Sequence, residues 1–142
     1  IHRDPVAVKT DDGFFIQKLP SGRVLFINHY DFTGRNNLTA FLSEDDGKTF
    51  PYRLLLDERK SVSYPDAQLC ADGLIRITYD HLRGCFKSSL EEVYSYPREI
   101  LVAKITEADI LAGKLLTEES KLQTVATRLD RLAPEDGDPF KK

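Results

Sequence analysis

The chain has no methionine and no tryptophan, only two cysteines and three histidines, and no surplus of positive charge. Each shortage narrows the reading. Without methionine there is no initiator residue, and the opening Ile1-His2-Arg3-Asp4-Pro5 lacks the basic-then-apolar pattern of a signal peptide. The expectation is a processed mature chain or a piece of a longer protein. Cys70 and Cys85 can pair or stay reduced, and two cysteines do not fix a redox compartment. His2, His29 and His81 are scattered and share no metal-ligand spacing with the cysteines, so neither a metal nor a cofactor is expected. Lys and Arg number 20 against 23 Asp and Glu, a net charge of −3 with no basic stripe, which argues against a nucleic-acid partner. No apolar run approaches the roughly 18 residues of a membrane span. At 142 residues the chain has the length of one domain and enough material to bury a core.

What is present is a turn motif. Residues 43–50 read Ser-Glu-Asp-Asp-Gly-Lys-Thr-Phe, the pattern Ser-x-Asp-x-Gly-x-Thr-aromatic. Asp45 carries a short acceptor that can bond backbone N–H groups downstream. Gly47 supplies a positive φ where a Cβ would clash. The Ser43 and Thr49 hydroxyls can close the turn, and Phe50 anchors the start of the next strand. Apolar stretches at 38–42 and 52–56 flank the motif, so it reads as the turn of a β-hairpin. A calcium loop fits worse: adjacent Asp45 and Asp46 break the alternating ligand spacing, and no Glu sits at the closing position. The octapeptide resembles the Asp box of sialidases and related β-propellers, where the box is a structural turn and not a substrate contact.

Around this turn the first half reads as strands, at 14–19, 24–29, 37–42 and 50–56, with a turn at Pro20-Ser21-Gly22 and a longer loop over 30–36. Four sequential strands joined by short turns form a meander, the unit of a propeller blade. The charged stretch 57–60 links to a second unit, with strands at 63–69 and 74–79 around Ala71-Asp72-Gly73 and another at 99–105. The ending changes character. Thr106 and Asp109 have capping-box spacing and Gly113 suits a C-cap, so a short helix is expected over 107–112. Leu122, Val125, Ala126, Leu129 and Leu132 recur at helical spacing and predict a second helix near 118–131.

The expected organisation is a lead-in segment (1–12), propeller blades (13–105), a helical segment (106–133) and a frayed tail (134–142). A blade takes about 40–50 residues, and a closed ring needs roughly four or more blades. The fold class is therefore mainly β: a fragment of an Asp-box β-propeller, one full four-stranded blade plus most of another, with C-terminal helices. The resemblance implies six blades in the whole ring. A piece of this kind exposes blade faces and a sheet edge, so the remainder of the propeller is an expected partner.

The resemblance extends over residues 24–80. In sialidases a loop ahead of the third strand of a late blade carries one arginine of a three-arginine cluster; the matching residue is Arg35, in Gly34-Arg35-Asn36-Asn37-Leu38. A tyrosine opening the following blade carries the nucleophile. The match is Tyr64, in Ser63-Tyr64-Pro65-Asp66-Ala67, with Pro65 in place of the usual serine. A Tyr-Glu pair at the end of the next hairpin supplies a carboxylate that orients another arginine; the match is Tyr79-Asp80, with Asp for Glu. The chemistry is coherent, because guanidinium groups bind a sugar carboxylate bidentately and stay charged. A tyrosine nucleophile is neutral and does not repel that carboxylate, although a phenol with an ordinary pKa near 10 needs a neighbouring base. The other two arginines, the acid/base residue and the Glu partner of the tyrosine belong to earlier blades in the family and have no match here. His81 and Arg83 follow a strand end directly and are candidate sugar contacts. Ser95-Tyr96-Pro97 repeats Ser63-Tyr64-Pro65, which makes Tyr96 and Arg98 competitors for the tyrosine and arginine roles.

The resemblance implies the C-terminal part of a sialidase-like retaining glycoside hydrolase, acting on an acidic terminal sugar and inactive as an isolated piece, in a secreted or periplasmic protein. The alternative is a non-catalytic Asp-box propeller that binds glycans or serves as a scaffold, since fold does not fix function.

Overall fold

The computed structural model describes residues 13–82 and 98–129. The described residues form β1 (Phe15–Lys18), β2 (Val24–His29), β3 (Leu38–Ser43), β4 (Tyr52–Asp57), β5 (Val62–Leu69), β6 (Ile75–His81), β7 (Arg98–Ile105), α1 (Glu107–Ala112) and β8 (Lys121–Leu129). They make two four-stranded antiparallel meanders, β1-β2-β3-β4 and β5-β6-β7-β8. The chain is mainly β.

Period-two alternation explains how the two sheets share a core. Leu25, Ile27, Leu38, Ala40, Leu42, Leu54 and Leu56 of the first sheet cluster with Val62, Ile75, Ile77, Tyr79, Leu101, Ala103 and Ile105 of the second. Ile110 of α1 joins the same cluster. The alternate residues Val24, Phe26 and Phe41 gather with Phe50 in an aromatic cluster on the opposite face of the first sheet. The rings of Phe26 and Phe50 lie 5.4 Å apart and tilted, a favourable aromatic geometry. Strands β2 and β3 are thus buried on both faces.

The Asp box closes the β3–β4 hairpin as its composition predicts. The Asp45 carboxylate accepts from the Ser43 hydroxyl (2.7 Å), the Thr49 amide (2.8 Å) and the Thr49 hydroxyl (2.6 Å). Ser43 Oγ in turn accepts from the Gly47 amide at 2.9 Å, with Gly47 at φ 85°. These bonds are internal to the turn, and Phe50 spends its ring on the aromatic cluster. The box is architecture.

The short helix also forms as expected. Thr106 Oγ1 accepts from the Asp109 amide, Asp109 Oδ2 accepts from the Thr106 amide, and Gly113 takes the left-handed C-cap conformation. The second helix near 118–131 does not form. Residues 121–129 are instead strand β8, paired antiparallel with β7, so the second sheet has four strands and not three. Two causes override the helical spacing. β-Branched Thr124, Val125 and Thr127 favour a strand, and β7 offers an unpaired edge once β6 occupies its other side. Val125 is 42% exposed, so the stripe was never a buried helical face.

The two ends of the sheets differ in content. The Asp box and the β1–β2 and β5–β6 turns lie at one end. The β2–β3 loop, the β4–β5 linker and the end of β6 lie at the other, as the antiparallel registers require.

Candidate functional site

The end opposite the Asp box gathers the residues with chemistry, and Pro65 shapes it. A proline has no N–H to give a ladder, so within a strand it favours a bulge. In β5 the register jumps between Ser63↔Asp80 and Asp66↔Thr78, leaving Tyr64 and Pro65 together opposite the single residue Tyr79. The bulge puts Tyr64 at φ 52°, a left-handed conformation costly for a bulky residue, and leaves it 43% exposed. The guanidinium of Arg35, on the β2–β3 loop, lies 5.8 Å from the centre of the Tyr64 ring. This is within cation–π range.

Backbone bonds hold this pair in place. The Val62 amide donates to the Arg35 carbonyl at 2.9 Å, and the buried His29 ring donates from Nε2 to the Val62 carbonyl at 2.6 Å. Gly13 sits so close beneath Tyr64 that a Cβ there would lie 2.9 Å from Cδ1. Beside the pair, a cleft of about 340 Å³ opens between the loop and the linker, lined by Thr33, Arg35, Asn36, Lys60 and Ser61. Arg35 and Lys60 give it positive charge.

The remaining expected site residues distribute as follows. Asp80 accepts from the Ser63 hydroxyl at 2.6 Å, directly next to Tyr64 in sequence. His81 binds Glu99 through Nδ1 at 2.8 Å. Arg83, Tyr96 and Cys85 lie outside the described residues, while Arg98 opens β7. Among the described residues no group of three or more His, Cys, Asp or Glu could hold a metal ion.

A charged network at the same end was not anticipated. Asp57, the buried last residue of β4, accepts from Tyr79 Oη (2.8 Å) and from Arg59 Nε and Nη2 (2.9 and 2.8 Å). Arg59 Nη1 stands 3.9 Å from Glu99, and Glu99 also accepts from Arg128 Nη2 at 2.6 Å and binds His81. Burial pushes the Asp57 carboxyl up, but the bonds from Arg59 and Tyr79 outweigh it, and the group sits below the usual carboxylate range. Glu99 follows the same logic, with Arg128 and His81 outweighing its burial. Burial first, then the Asp57 charge, drives the Tyr79 phenol far above its ordinary value, so it stays a donor. The network stitches the first sheet to β6, β7 and β8 beneath the candidate site. One signal was readable: Glu99 shares an inward parity with Leu101, Ala103 and Ile105, a position where a carboxylate needs a buried cation.

The family model of the BNR repeat-like domain matches residues 7–77, half of the chain, running through the whole first sheet and into β6. The chain belongs to the BNR repeat-like family. No curated protein and no solved structure matches it. Within this BNR repeat-like chain the matched stretch contains Arg35, the Asp box, Asp57, Arg59 and Tyr64. Asp80, His81, Glu99 and Arg128 lie beyond it.

Proposed function

We propose that this BNR repeat-like chain is part of a sialidase-like β-propeller, its two sheets serving as blades, with a retaining glycoside hydrolase site for an acidic terminal sugar of the sialic-acid type. The observation that carries this reading is Tyr64: a strained, bulge-mounted and exposed tyrosine beside an arginine, at the loop end of the sheets. Strain of this kind concentrates at functional sites because the surrounding structure must enforce it.

In the proposed reaction Arg35 binds the sugar carboxylate, and Lys60 adds positive charge to the same cleft. Tyr64 Oη forms a bond to the anomeric carbon as the bond to the aglycone oxygen breaks. The phenolic proton passes to a base, and the departing oxygen takes a proton from an acid, both from the rest of the propeller. Water then attacks the same carbon and restores the phenol, so two inversions give retention. Asp80, held by Ser63, braces the strand end beside Tyr64.

The test is Tyr64→Phe in the protein with its remaining blades. Phenylalanine keeps the ring under Arg35 and against Gly13 and removes only the oxygen. Hydrolysis of an aryl sialoside should fall by several orders of magnitude with the thermal melt unchanged. Turnover at the parent rate would remove Tyr64 from the mechanism. An unaltered protein that binds the acidic sugar through Arg35 without hydrolysing it would instead establish the non-catalytic glycan-binding propeller.

A further inference from the structure

A buried histidine takes no part in the proposed reaction. His29 ends β2 with the parity of Leu25 and Ile27, on the face that packs into the shared core, and it is fully buried. An imidazole there costs desolvation that an aliphatic side chain would avoid, so its polar atoms need bonds. One such bond crosses to the other sheet, where Nε2 donates to the Val62 carbonyl at 2.6 Å. The backbone of His29 is fixed too, since its amide donates to the Asn28 side-chain carbonyl at 2.8 Å.

Val62 is the node of this end of the molecule. Strand β5 is an edge of its sheet, and an edge strand turns a row of N–H and C=O groups away from the ladder. At the buried Val62 both are met from the first sheet, the carbonyl by His29 and the N–H by the Arg35 carbonyl at 2.9 Å. Next to His29, the Tyr30 amide donates to the Asn37 carbonyl at 3.0 Å and closes the β2–β3 loop that carries Arg35. The bonds therefore form a circuit: from the root of the loop to Val62, from Val62 to the Arg35 backbone, and back along the loop. Tyr64 stands two residues beyond the node. Its left-handed backbone persists only while the surroundings enforce it, so the tyrosine relaxes when the node loosens.

We propose that His29 is the positioning residue that holds Tyr64 against Arg35. It touches no substrate. Without its ring N–H the Val62 carbonyl is buried and unpaired, and the start of β5 shifts to find another donor. The tyrosine oxygen then moves relative to a sugar held by Arg35. A displacement of about 1 Å at a reacting atom costs about a hundredfold in rate. The effect on turnover rests on the hydrolase reading; the hold on the Tyr64 ring does not.

Three variants test this role. His29→Leu removes the donor, His29→Asn carries an amide too short to reach Val62, and His29→Gln presents an N–H where the imidazole Nε2 stood. In the protein with its remaining blades, His29→Leu and His29→Asn should lower kcat on an aryl sialoside roughly a hundredfold with KM within about threefold. His29→Gln should keep kcat within about fivefold of the parent. In the 142-residue chain, the Tyr64 ring resonances are identified by their loss in Tyr64→Phe. They should move in His29→Leu and His29→Asn and hold in His29→Gln, while the Gly47 and Thr49 amides of the Asp box stay in place. Parental kcat in His29→Leu, a His29→Gln as slow as His29→Leu, or unmoved Tyr64 resonances would each overturn the positioning role. Loss of the cooperative thermal melt in both His29→Leu and His29→Asn would make His29 a folding residue and overturn it as well. An unaltered protein without hydrolysis would instead remove the hydrolase reading, and the ring resonances would then decide the role of His29 by themselves.

Discussion

The left-handed backbone at Tyr64 costs of order 1–3 kcal/mol and persists only where neighbours enforce it. Gly13 is one such neighbour. Its φ of +72° and the 2.9 Å approach of Tyr64 Cδ1 both oppose any side chain there. Gly13→Ala should therefore lower stability by about 1 kcal/mol or more and displace the Tyr64 ring, measured by urea denaturation and by the Tyr64 ring resonances. Asp45 makes stability depend on pH. Hydrogen bonds from Thr49, then Ser43, lower its carboxyl to about 2. A depressed folded-state pKa contributes stability that is present above the ordinary value near 4 and is lost as pH falls through about 2. Unfolding free energy should thus decline across that window, and Asp45→Asn should flatten the decline. An identical slope in the variant would mean that other carboxylates carry the acid sensitivity.

At the scale of elements, the two sheets are joined by their core and by the Tyr79–Asp57–Arg59–Glu99 network. Tyr79→Phe removes one donor and leaves Asp57 with Arg59, so it should cost about 1 kcal/mol. Asp57→Ala strips the acceptor from both partners and should cost about 2–3 kcal/mol. That is less than for a fully enclosed ion pair, because 34% of the Arg59 side chain reaches solvent. Equilibrium denaturation of both variants checks the ordering. Local chemistry was legible in the sequence wherever partners sit within a few residues: the Asp box through Ser43, Asp45 and Thr49, and the α1 cap through Thr106 and Asp109. The network was not, because Asp57 reads as linker charge until Tyr79, 22 positions on, is known to lie beside it. Strand β8 was lost to a competing period. Leu122, Val125 and Leu129 have helical spacing, and only the open edge of β7 shows that a strand is needed there.

For the whole molecule, the antiparallel registers carry Arg35 and Tyr64 to the same end, and the bulge at Pro65 turns the tyrosine outward under the arginine. Their assignment to a site rests on resemblance, and their contact was not legible in the sequence, since it depends on how two sheets align. Under the proposed function, Tyr64 forms a covalent bond to an acidic sugar. The most direct test is to incubate the intact protein with a fluorinated acidic sugar that slows the second displacement, then map the adduct by peptide mass spectrometry. A single glycosyl adduct on Tyr64, absent from Tyr64→Phe, is expected. An adduct on another residue, with sialoside turnover retained by Tyr64→Phe, would contradict it.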